Sequence, residues 1–461
     1  MNKLGKGSNK ATLVNSLLLI ALSAVVYFGT YPLFTILGLV QGDAPARSVL
    51  IAVLTVLTLS TGYFWKEWML REILPKARYV VLLSLMLFGI AASAPLYGHK
   101  DNIQNTLSAR SWIVHGNNPF VTPLEEVDDP LLEKTDKQWR KDANIYGPLW
   151  MLPSALPIIF FSETSAQLIA MKWLNILAYI GGGLTVYFAL RKGRHEKAES
   201  VLVLWLLHPL AIFTIGNAGH NEGVLMLALA IFLAGLIRKN PAMALVGITS
   251  AILVKYWPIV LLPALLGIKG RRAGVWVYGI GASIVVTILS FLPFIADTNI
   301  FLYILRHQEL STTKYFSPGF FLIWNTLYPF FSSRTAQTSV AQGIAVAVLA
   351  VSFIVVSRAV YKKRMSSSVA VLLMTAVLFL IVVSWLQAWY LLPLSIFAAL
   401  ALSEKHMFPI AILLSIAGFL SFLMAWIWVL LIVGIGVCLR YREMLLSSSQ
   451  DGGRGDAEQV E

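Results

Sequence analysis

The sequence predicts an all-α polytopic membrane protein, and its composition and its pattern of uncharged stretches both lead to this prediction. Of 461 residues, 57% are hydrophobic and only 13% are charged, whereas a soluble domain is about half apolar and about a quarter charged. Uncharged stretches of roughly the 20 residues needed to cross a bilayer recur along the chain. This composition excludes a soluble enzyme and also a disordered chain, which needs low hydrophobicity and high charge.

The uncharged stretches place the predicted helices in order along the chain. The stretches that fit one crossing are residues 13–40, 48–65, 79–98, 173–190, 200–219, 223–237, 273–296 and 335–357. Residues 365–403 and 406–439 are too long for one crossing, so each is predicted to form two helices joined by a tight turn. Residues 148–162 are short and contain Pro153 and Pro157, which predicts an interfacial or re-entrant segment.

Residues 241–268 are interrupted by Lys255, and the distribution of charge decides how this segment crosses. Membrane proteins carry their excess of Lys and Arg on the cytoplasmic side. Two short helices that meet at Lys255 keep the next basic loop inside, whereas a single span would invert everything downstream. The chain is then predicted to have about 12–14 transmembrane helices. Its net charge of +13 reflects helix orientation, with both termini on the cytoplasmic side of the plasma membrane.

The predicted topology divides the chain into three parts. Residues 1–78 hold the N-terminal cytoplasmic start and two extra transmembrane helices, residues 79–440 form the transmembrane core, and residues 441–461 form a disordered cytoplasmic tail. Two long loops, 99–147 and 297–334, lie on the extracytoplasmic side. Long loops in compact proteins are usually functional or disordered, and the aromatic residues in these two predict ordered segments packed on the membrane face.

Asp101 follows the third predicted span by a few residues, at the extracytoplasmic boundary. Partial desolvation at the interface raises the basicity of a carboxylate, so Asp101 is a candidate general base toward a hydroxyl that arrives from outside. Asp is also a preferred N-cap residue, and the sequence that begins at Asp101 has a helical pattern. The sequence leaves both roles open, and one residue can serve in both.

Lys255 is predicted to lie within an apolar region, where an ammonium group costs several kcal/mol unless it meets an anion or a watery cleft. Lys172 lies near the outer end of its predicted span. Two cations at this depth are candidates to bind a lipid phosphate, although lysines near helix ends also snorkel to the interface. Arg306 and His307 in the second outer loop are further candidates for the same phosphate.

Three polar residues, His220, Asn221 and Glu222, lie where the fifth span turns into the sixth on the outer side. They are candidates to meet a ligand, and equally they could satisfy the exposed ends of the two helices. Asp128 and Asp129 belong to a run of charged residues, which favours a solvated segment over a metal site.

The sequence contains no P-loop, HExxH or GxSxG motif, and a single cysteine, Cys438, cannot form an intrachain disulfide or a cysteine metal cluster. No cofactor and no metal is therefore predicted. Soluble enzymes that use nucleotide-linked substrates often hold the diphosphate through a metal, and a chain without such a domain would need a donor that is already in the membrane.

The order of the polar motifs resembles that of the GT-C-fold glycosyltransferases, which use polyprenyl-phosphate sugars and include bacterial mannosyltransferases. The motifs that carry the resemblance are Asp101 after a span, WIVHGNNPF (112–120), YGPLW (146–150), GHNE (219–222), Lys255 with Pro258 and Pro263, and WYLLP (389–393). Two features differ from the family pattern: the residues after Asp101 lack the aromatic and Arg often found there, and two additional spans precede the core.

The resemblance implies a GT-C-like bundle in which Asp101 is the catalytic base and Lys255, with Lys172, binds the donor phosphate. It implies a hexosyltransferase with mannose as a candidate sugar, and a glycan, lipid or protein as the acceptor. Transfer would invert the anomeric centre in a single displacement on the extracytoplasmic side. The residues expected to line the substrate site are His220, Asn221, Glu222, Asn118, Tyr146, Trp389 and Tyr390.

Two other functions remain open from the sequence. A transporter or flippase of a lipid-linked or small solute is the main alternative, but such proteins usually place ionisable residues at the midplane and show repeated halves. The second alternative is a ligase or polymerase that moves a whole lipid-linked oligosaccharide, a function close to that of the glycosyltransferase. Membrane lipids are expected partners in every case, and nucleic acid is not.

Overall fold

In the computed structural model, the described residues are Trp65 and the ranges 76–93, 101–192, 195–269, 272–296, 317–383, 386–402 and 404–421. The predicted spans at 13–40 and, apart from Trp65, at 48–65 lie outside these residues. The same is true of the C-terminal tail and of Arg306 and His307.

Within these ranges the protein is helical, and no β-strand occurs there. The α-helices are α1 Ala77–Ser93, α2 Asp101–Ile113, α3 Pro148–Phe160, α4 Thr164–Arg191, α5 His195–Leu206, α6 Pro209–Ala211, α7 Glu222–Ile237, α8 Pro241–Val254, α9 Ala273–Phe291, α10 Pro318–Leu327, α11 Arg334–Tyr361, α12 Ser367–Val377, α13 Leu391–Ala401 and α14 Glu404–Ser421. The principal π- and 3₁₀-helical segments are Ile212–Asn217, Leu378–Val382, Trp257–Gly267 and Ala388–Tyr390.

Among the residues that the structure describes, four helical segments are long and apolar enough to cross a membrane. They are Thr164–Arg191, Lys197–Asn217, Ala273–Phe294 and Arg334–Tyr361. Two of them, Ala273–Phe294 and Arg334–Tyr361, lie at the surface of the bundle and expose apolar side chains such as Ile284 and Ile354. This arrangement suits contact with hydrocarbon. The predicted all-α membrane protein is thereby confirmed, whereas the total number of crossings stays a prediction.

The predicted helix break at Lys255 is present in the structure. Helix α8 ends at Val254, and Lys255 has extended backbone with φ −142° and ψ 140°. Pro258 explains the break, because in a continued helix its ring would clash with the carbonyl of Val254 four residues earlier. The second predicted break, within 365–403, is also present between Leu378–Val382 and Ala388–Tyr390.

Helix α3 corresponds to the segment predicted to be interfacial or re-entrant. Its 13 residues span about 20 Å at 1.5 Å per residue, which is less than the hydrocarbon thickness of about 30 Å. Aromatic residues at the end of α2 and in the loop after it pack on Phe294, whereas the predicted packing of this loop on the membrane face stays a prediction. The rings of Trp112 and Phe120 lie with centroids 4.8 and 4.9 Å from that of Phe294.

Helix α7 is the centre of the bundle and packs against α4 and α8. Glycines permit this close approach: a Cβ on Gly247 of α8 would collide with the backbone of Phe232 in α7. Gly281 of α9 is the opposite case, because a Cβ there would meet nothing within 4 Å. The close packing of α7 on α8 therefore requires a residue without a side chain at position 247.

We expect Gly247→Ala to destabilise the protein by about 1–3 kcal/mol, because added volume in a packed core forces neighbouring groups to shift. The matched variant Gly281→Ala should be neutral or stabilising by about 0.5–1 kcal/mol, because alanine is favoured over glycine in a helix. Thermal unfolding of the two variants in detergent measures the difference. Equal stability of the two would contradict the close packing of α7 on α8.

Candidate functional site

Four ionisable side chains form a continuous chain of contacts in the structure. Asp101 Oδ2 lies 3.0 Å from His220 Nε2, and His220 Nδ1 contacts Glu222 Oε2. Glu222 Oε1 accepts a hydrogen bond from Lys255 Nζ. Residues that are more than 150 positions apart in the sequence, from Asp101 to Lys255, are thus joined in one cluster, which we call the Asp101–Lys255 cluster.

Exposure differs sharply along the cluster. The side chains of His220 and Glu222 are each 1% exposed and that of Lys255 is 7% exposed, whereas Asp101 is 17% exposed. A buried charge needs an opposite charge or hydrogen bonds, and Glu222 and Lys255 provide this for each other. Asp101 is therefore the member of the cluster that an incoming molecule can reach most easily.

The turn that carries His220 and Glu222 is built by a π-helix and a glycine. The π-helical segment Ile212–Asn217 leads into Gly219, whose φ of +65° is readily adopted by glycine. A Cβ at Gly219 would lie 2.8 Å from the side chain of Asn102. The glycine therefore lets the turn approach the start of α2, and this approach brings His220 to Asp101.

A second glycine positions Tyr146 beside Lys255. The Gly147 N–H donates to the Val254 carbonyl over 2.9 Å, and a Cβ at Gly147 would collide with the carbonyl of Leu253. The backbone before α3 is thus held against the end of α8. As a result, Lys255 Nζ lies 5.0 Å from the centre of the Tyr146 ring, within cation–π range.

Aromatic residues from the WYLLP motif close the other side of the cluster. The Trp389 ring lies 4.2 Å from that of His220 at an interplanar angle of 33°. Lys255 Nζ is 5.8 Å from the centre of the Tyr390 ring, and Tyr390 itself stacks on Phe379 at 5.0 Å. The structure therefore brings together Asp101, His220, Glu222, Lys255, Tyr146, Trp389 and Tyr390, and their roles in a site stay predictions.

Asn221 is fully buried between the two charged residues of its turn. It occupies the N-cap position of α7, yet its side chain makes no capping hydrogen bond. Neither polar atom of its amide has a hydrogen-bond partner among the described residues. An unsatisfied buried amide is costly, so this side chain is well suited to bind a polar group that enters the site.

Two predicted site residues are placed elsewhere. Lys172 is buried, and its Nζ donates to the Ala92 carbonyl over 3.0 Å, at the last turn of α1. Cations are favoured at helix C-termini, which accounts for Lys172 without a ligand. The Asn118 side chain accepts from the Phe120 N–H and donates to the Phe294 carbonyl. Neither residue contacts the Asp101–Lys255 cluster through these bonds, and their proposed roles stay predictions.

Asp129 is a buried ionic residue, so the solvated position predicted for it from the run of charges is wrong. Its carboxylate is 1% exposed and lies 2.7 Å from Arg110 Nε and 2.9 Å from His115 Nε2. Burial by itself raises the pKa of Asp129, but hydrogen bonds from His115, Leu131 N–H and Arg110 outweigh it and hold the pKa below 3.8. Asp128 beside it is exposed, so one residue in this run of charges is buried and joins the loop after α2 to that helix.

In the ranges that the structure describes, no group of three or more His, Cys, Asp or Glu side chains is arranged to hold a metal ion. What the site offers is a reachable carboxylate, a buried ammonium and an unsatisfied amide. These groups suit proton transfer beside a bound anion.

An integral membrane protein with a buried polar cluster at one end of its bundle is the class that the fold and the site define. Residues 16–270 match the MptA_B family model, described as alpha-(1->6)-mannopyranosyltransferase, N-terminal domain. The chain belongs to this family, and it is therefore a glycosyltransferase that uses a sugar donor and a glycan acceptor. The resemblance to mannosyltransferases drawn from the motifs is confirmed. A comparison with curated proteins returned no match.

We expect Asp129→Asn to destabilise the protein by about 1.5–3 kcal/mol, because charged hydrogen bonds to Arg110 and His115 are lost. The neighbouring variant Asp128→Asn is the control and should unfold like the wild type. Because folding lowers the pKa of Asp129, its contribution is complete above pH 3.8 and is lost as the pH falls through the lowered native pKa. Thermal unfolding between pH 7 and 3 should therefore show the wild type approaching Asp129→Asn only in acid, and a difference independent of pH would contradict this.

Proposed function

We propose that the protein transfers a mannosyl residue from a polyprenyl-phosphate donor to a hydroxyl of a glycan on the extracytoplasmic side, with Asp101 as the general base. The observation that carries the proposal is the Asp101–Lys255 cluster. It holds a reachable carboxylate and a buried ammonium in one site, linked through His220 and Glu222. Family membership supports the mannosyl transfer itself.

The reaction needs one proton acceptor and one stabilised leaving group. Asp101 accepts the proton of the acceptor hydroxyl as its oxygen bonds to the anomeric carbon of mannose. The bond from that carbon to the donor phosphate breaks, and the phosphate leaves with the electron pair. A single displacement inverts the anomeric centre, so the alpha linkage in the family description requires a beta-linked donor. That description also makes a primary hydroxyl at position 6 the proposed acceptor group.

His220 and Glu222 are proposed to act on the substrate mainly through their neighbours. With one ring nitrogen at Asp101 and the other at Glu222, His220 holds the carboxylate in a fixed orientation. Glu222 balances the charge of Lys255 while no donor is bound. The polar atoms of these two side chains contact each other, Asp101 and Lys255, which supports a positioning role over direct contact with the sugar.

Lys255 is proposed to stabilise the charge that builds up on the leaving phosphate. A preorganised cation in a site without bulk water is effective for this purpose. Its location in the apolar bundle supports a donor phosphate that is anchored in the membrane. Arg306, His307 and Lys172 are retained as proposed secondary contacts of the phosphate.

The sugar is proposed to bind at the unsatisfied amide of Asn221 and the aromatic side chains around it. An amide supplies both a donor and an acceptor for hydroxyl groups. Trp389, Tyr390 and Tyr146 offer apolar ring surfaces beside the charged groups, and Asn118 is retained as a more distant contact. This combination of a few polar groups with aromatic walls is typical of small-ligand sites.

We expect Asp101→Asn to lower the rate of mannosyl transfer by about 100- to 10,000-fold, the usual contribution of a positioned base. Asparagine retains a polar contact with His220, so the donor should still bind. Transfer from purified polyprenyl-phosphate mannose to a mannoside acceptor, with a parallel donor-binding assay, measures both quantities. Asp128→Asn is the control, and a rate for Asp101→Asn within tenfold of the wild type would refute the base assignment.

We expect Lys255→Met combined with Glu222→Gln to abolish donor binding, because the ammonium that meets the phosphate is gone. The double variant is used because removing only one partner of a buried ion pair leaves the other charge uncompensated. Glu222→Gln alone leaves Lys255 without its partner, so this variant should unfold more easily without donor; the donor phosphate then compensates the ammonium, and donor binding should equal or exceed that of the wild type. Equal donor affinity of the double variant and Glu222→Gln in a lipid-binding assay would remove Lys255 from the phosphate site.

A further inference from the structure

A cavity of about 1140 Å³ lies at the end of the bundle opposite the Asp101–Lys255 cluster. Helix α7 connects the two: it begins at Glu222 in the cluster, and Leu233 and Ile237 at its other end line the cavity. The 16 residues of α7 separate them by about 24 Å. The cavity is therefore a separate place in the molecule, on the side predicted to be cytoplasmic.

Basic side chains surround this cavity. Those that line it are Lys192, Lys197, Arg238, Lys239, Lys269, Lys363 and Arg364. No Asp or Glu occurs among the described residues that line it. We call this the basic cavity. So many cations around one concave space create a strongly positive potential, which attracts an anion.

Some of these cations have a structural use. Lys197 donates to the carbonyls of Leu400 and Leu402 beyond the end of α13, and Arg238 donates to the Phe188 carbonyl near the end of α4. Lys269 donates to the carbonyl of Tyr361. Capping of helix ends accounts for these four bonds.

Two of the remaining lysines have an unusual backbone conformation. Lys239 and Lys363 have φ values of +51° and +60°, and within the described ranges they are the residues other than glycine with positive φ. Each follows the C-cap residue of a long helix, α7 or α11, where glycine is usual because it adopts this conformation without steric cost. Both lysines line the same cavity, and clustered backbone strain of this kind points to a function.

The positive-inside rule explains basic residues at a cytoplasmic boundary, but it does not explain lysine in place of glycine at two helix ends beside one cavity. The start of α12 adds to the positive potential, because Ser366, Ser367 and Ser368 line the cavity at a helix N-terminus.

The inner wall of the basic cavity is apolar. Its lining includes Leu190, Leu233, Leu236, Val360 and Leu400 from the ends of four helices. A small soluble anion has no apolar surface to bury against this wall, whereas an amphiphile presents both a charged group and hydrocarbon. Basic pockets between transmembrane helices on the cytoplasmic side suit phospholipid headgroups.

We propose that the basic cavity binds the phosphate headgroup of an anionic phospholipid. Lys239 and Lys363 contact the phosphate, and the apolar wall receives the first carbons of the lipid chains. This site does not depend on the proposed transfer reaction, and its test uses no enzymatic activity.

The test compares binding of phosphatidylglycerol and phosphatidylcholine to the purified full-length protein by native mass spectrometry. The variant is Lys239→Gly with Lys363→Gly, since glycine fits both backbone positions and should preserve or raise the unfolding temperature. The control is Lys134→Gln with Lys137→Gln, which removes the same charge from exposed positions of the outer loop. We expect wild type and control to prefer phosphatidylglycerol, and the glycine variant to bind it about 25-fold more weakly, at about fivefold for each lysine.

Equal binding of the two lipids by the wild type would overturn the proposal, and so would unchanged affinity of the glycine variant. A third arm adds inorganic phosphate alone. If phosphate protects the wild type against unfolding and displaces the lipid at equal concentration, the cavity binds a soluble phosphate anion and the lipid assignment is wrong.

Discussion

Glu222 and Lys255 are opposite charges buried in an apolar helical bundle, and each makes the burial of the other tolerable. Removing a carboxylate or an ammonium from water costs several kcal/mol unless a partner of opposite charge is held close by. The pair therefore requires the start of α7 to lie beside the end of α8. The break that Pro258 causes between α8 and Trp257–Gly267 leaves Lys255 in extended backbone beside Glu222, and His220 joins Asp101 to the pair.

Close approaches of the backbone hold the pair where side chains alone could not. Gly147 and Gly219 each lie where a Cβ would collide with or crowd a neighbouring element, and each belongs to a motif that surrounds the cluster. The geometry of the site thus depends on the lack of a side chain at these two glycines as much as on the charged residues. Asn221 also lacks an expected contact, because it occupies the N-cap position of α7 but its side chain makes no capping hydrogen bond.

The two ends of α7 have opposite electrostatic character. At its start two carboxylates and an imidazole accompany one ammonium, while at its end seven cations surround a cavity with no described acidic residue in its lining. A positive potential at one boundary is what a helix bundle oriented by the positive-inside rule develops. The positive-inside rule explains an excess of cations along this boundary, but it does not explain why seven of them surround one cavity.

The sequence by itself determined the helical membrane fold and the break at Lys255, because hydropathy, proline and charge act over short stretches of chain. Only the tertiary structure decided that His220 and Glu222 join Asp101 to Lys255. It also showed that Asp129 is buried while Asp128 is exposed, and that Lys172 donates a hydrogen bond to the end of α1. Such contacts join residues that are distant in the chain, and whether a charge is buried or solvated depends on elements that no local pattern specifies.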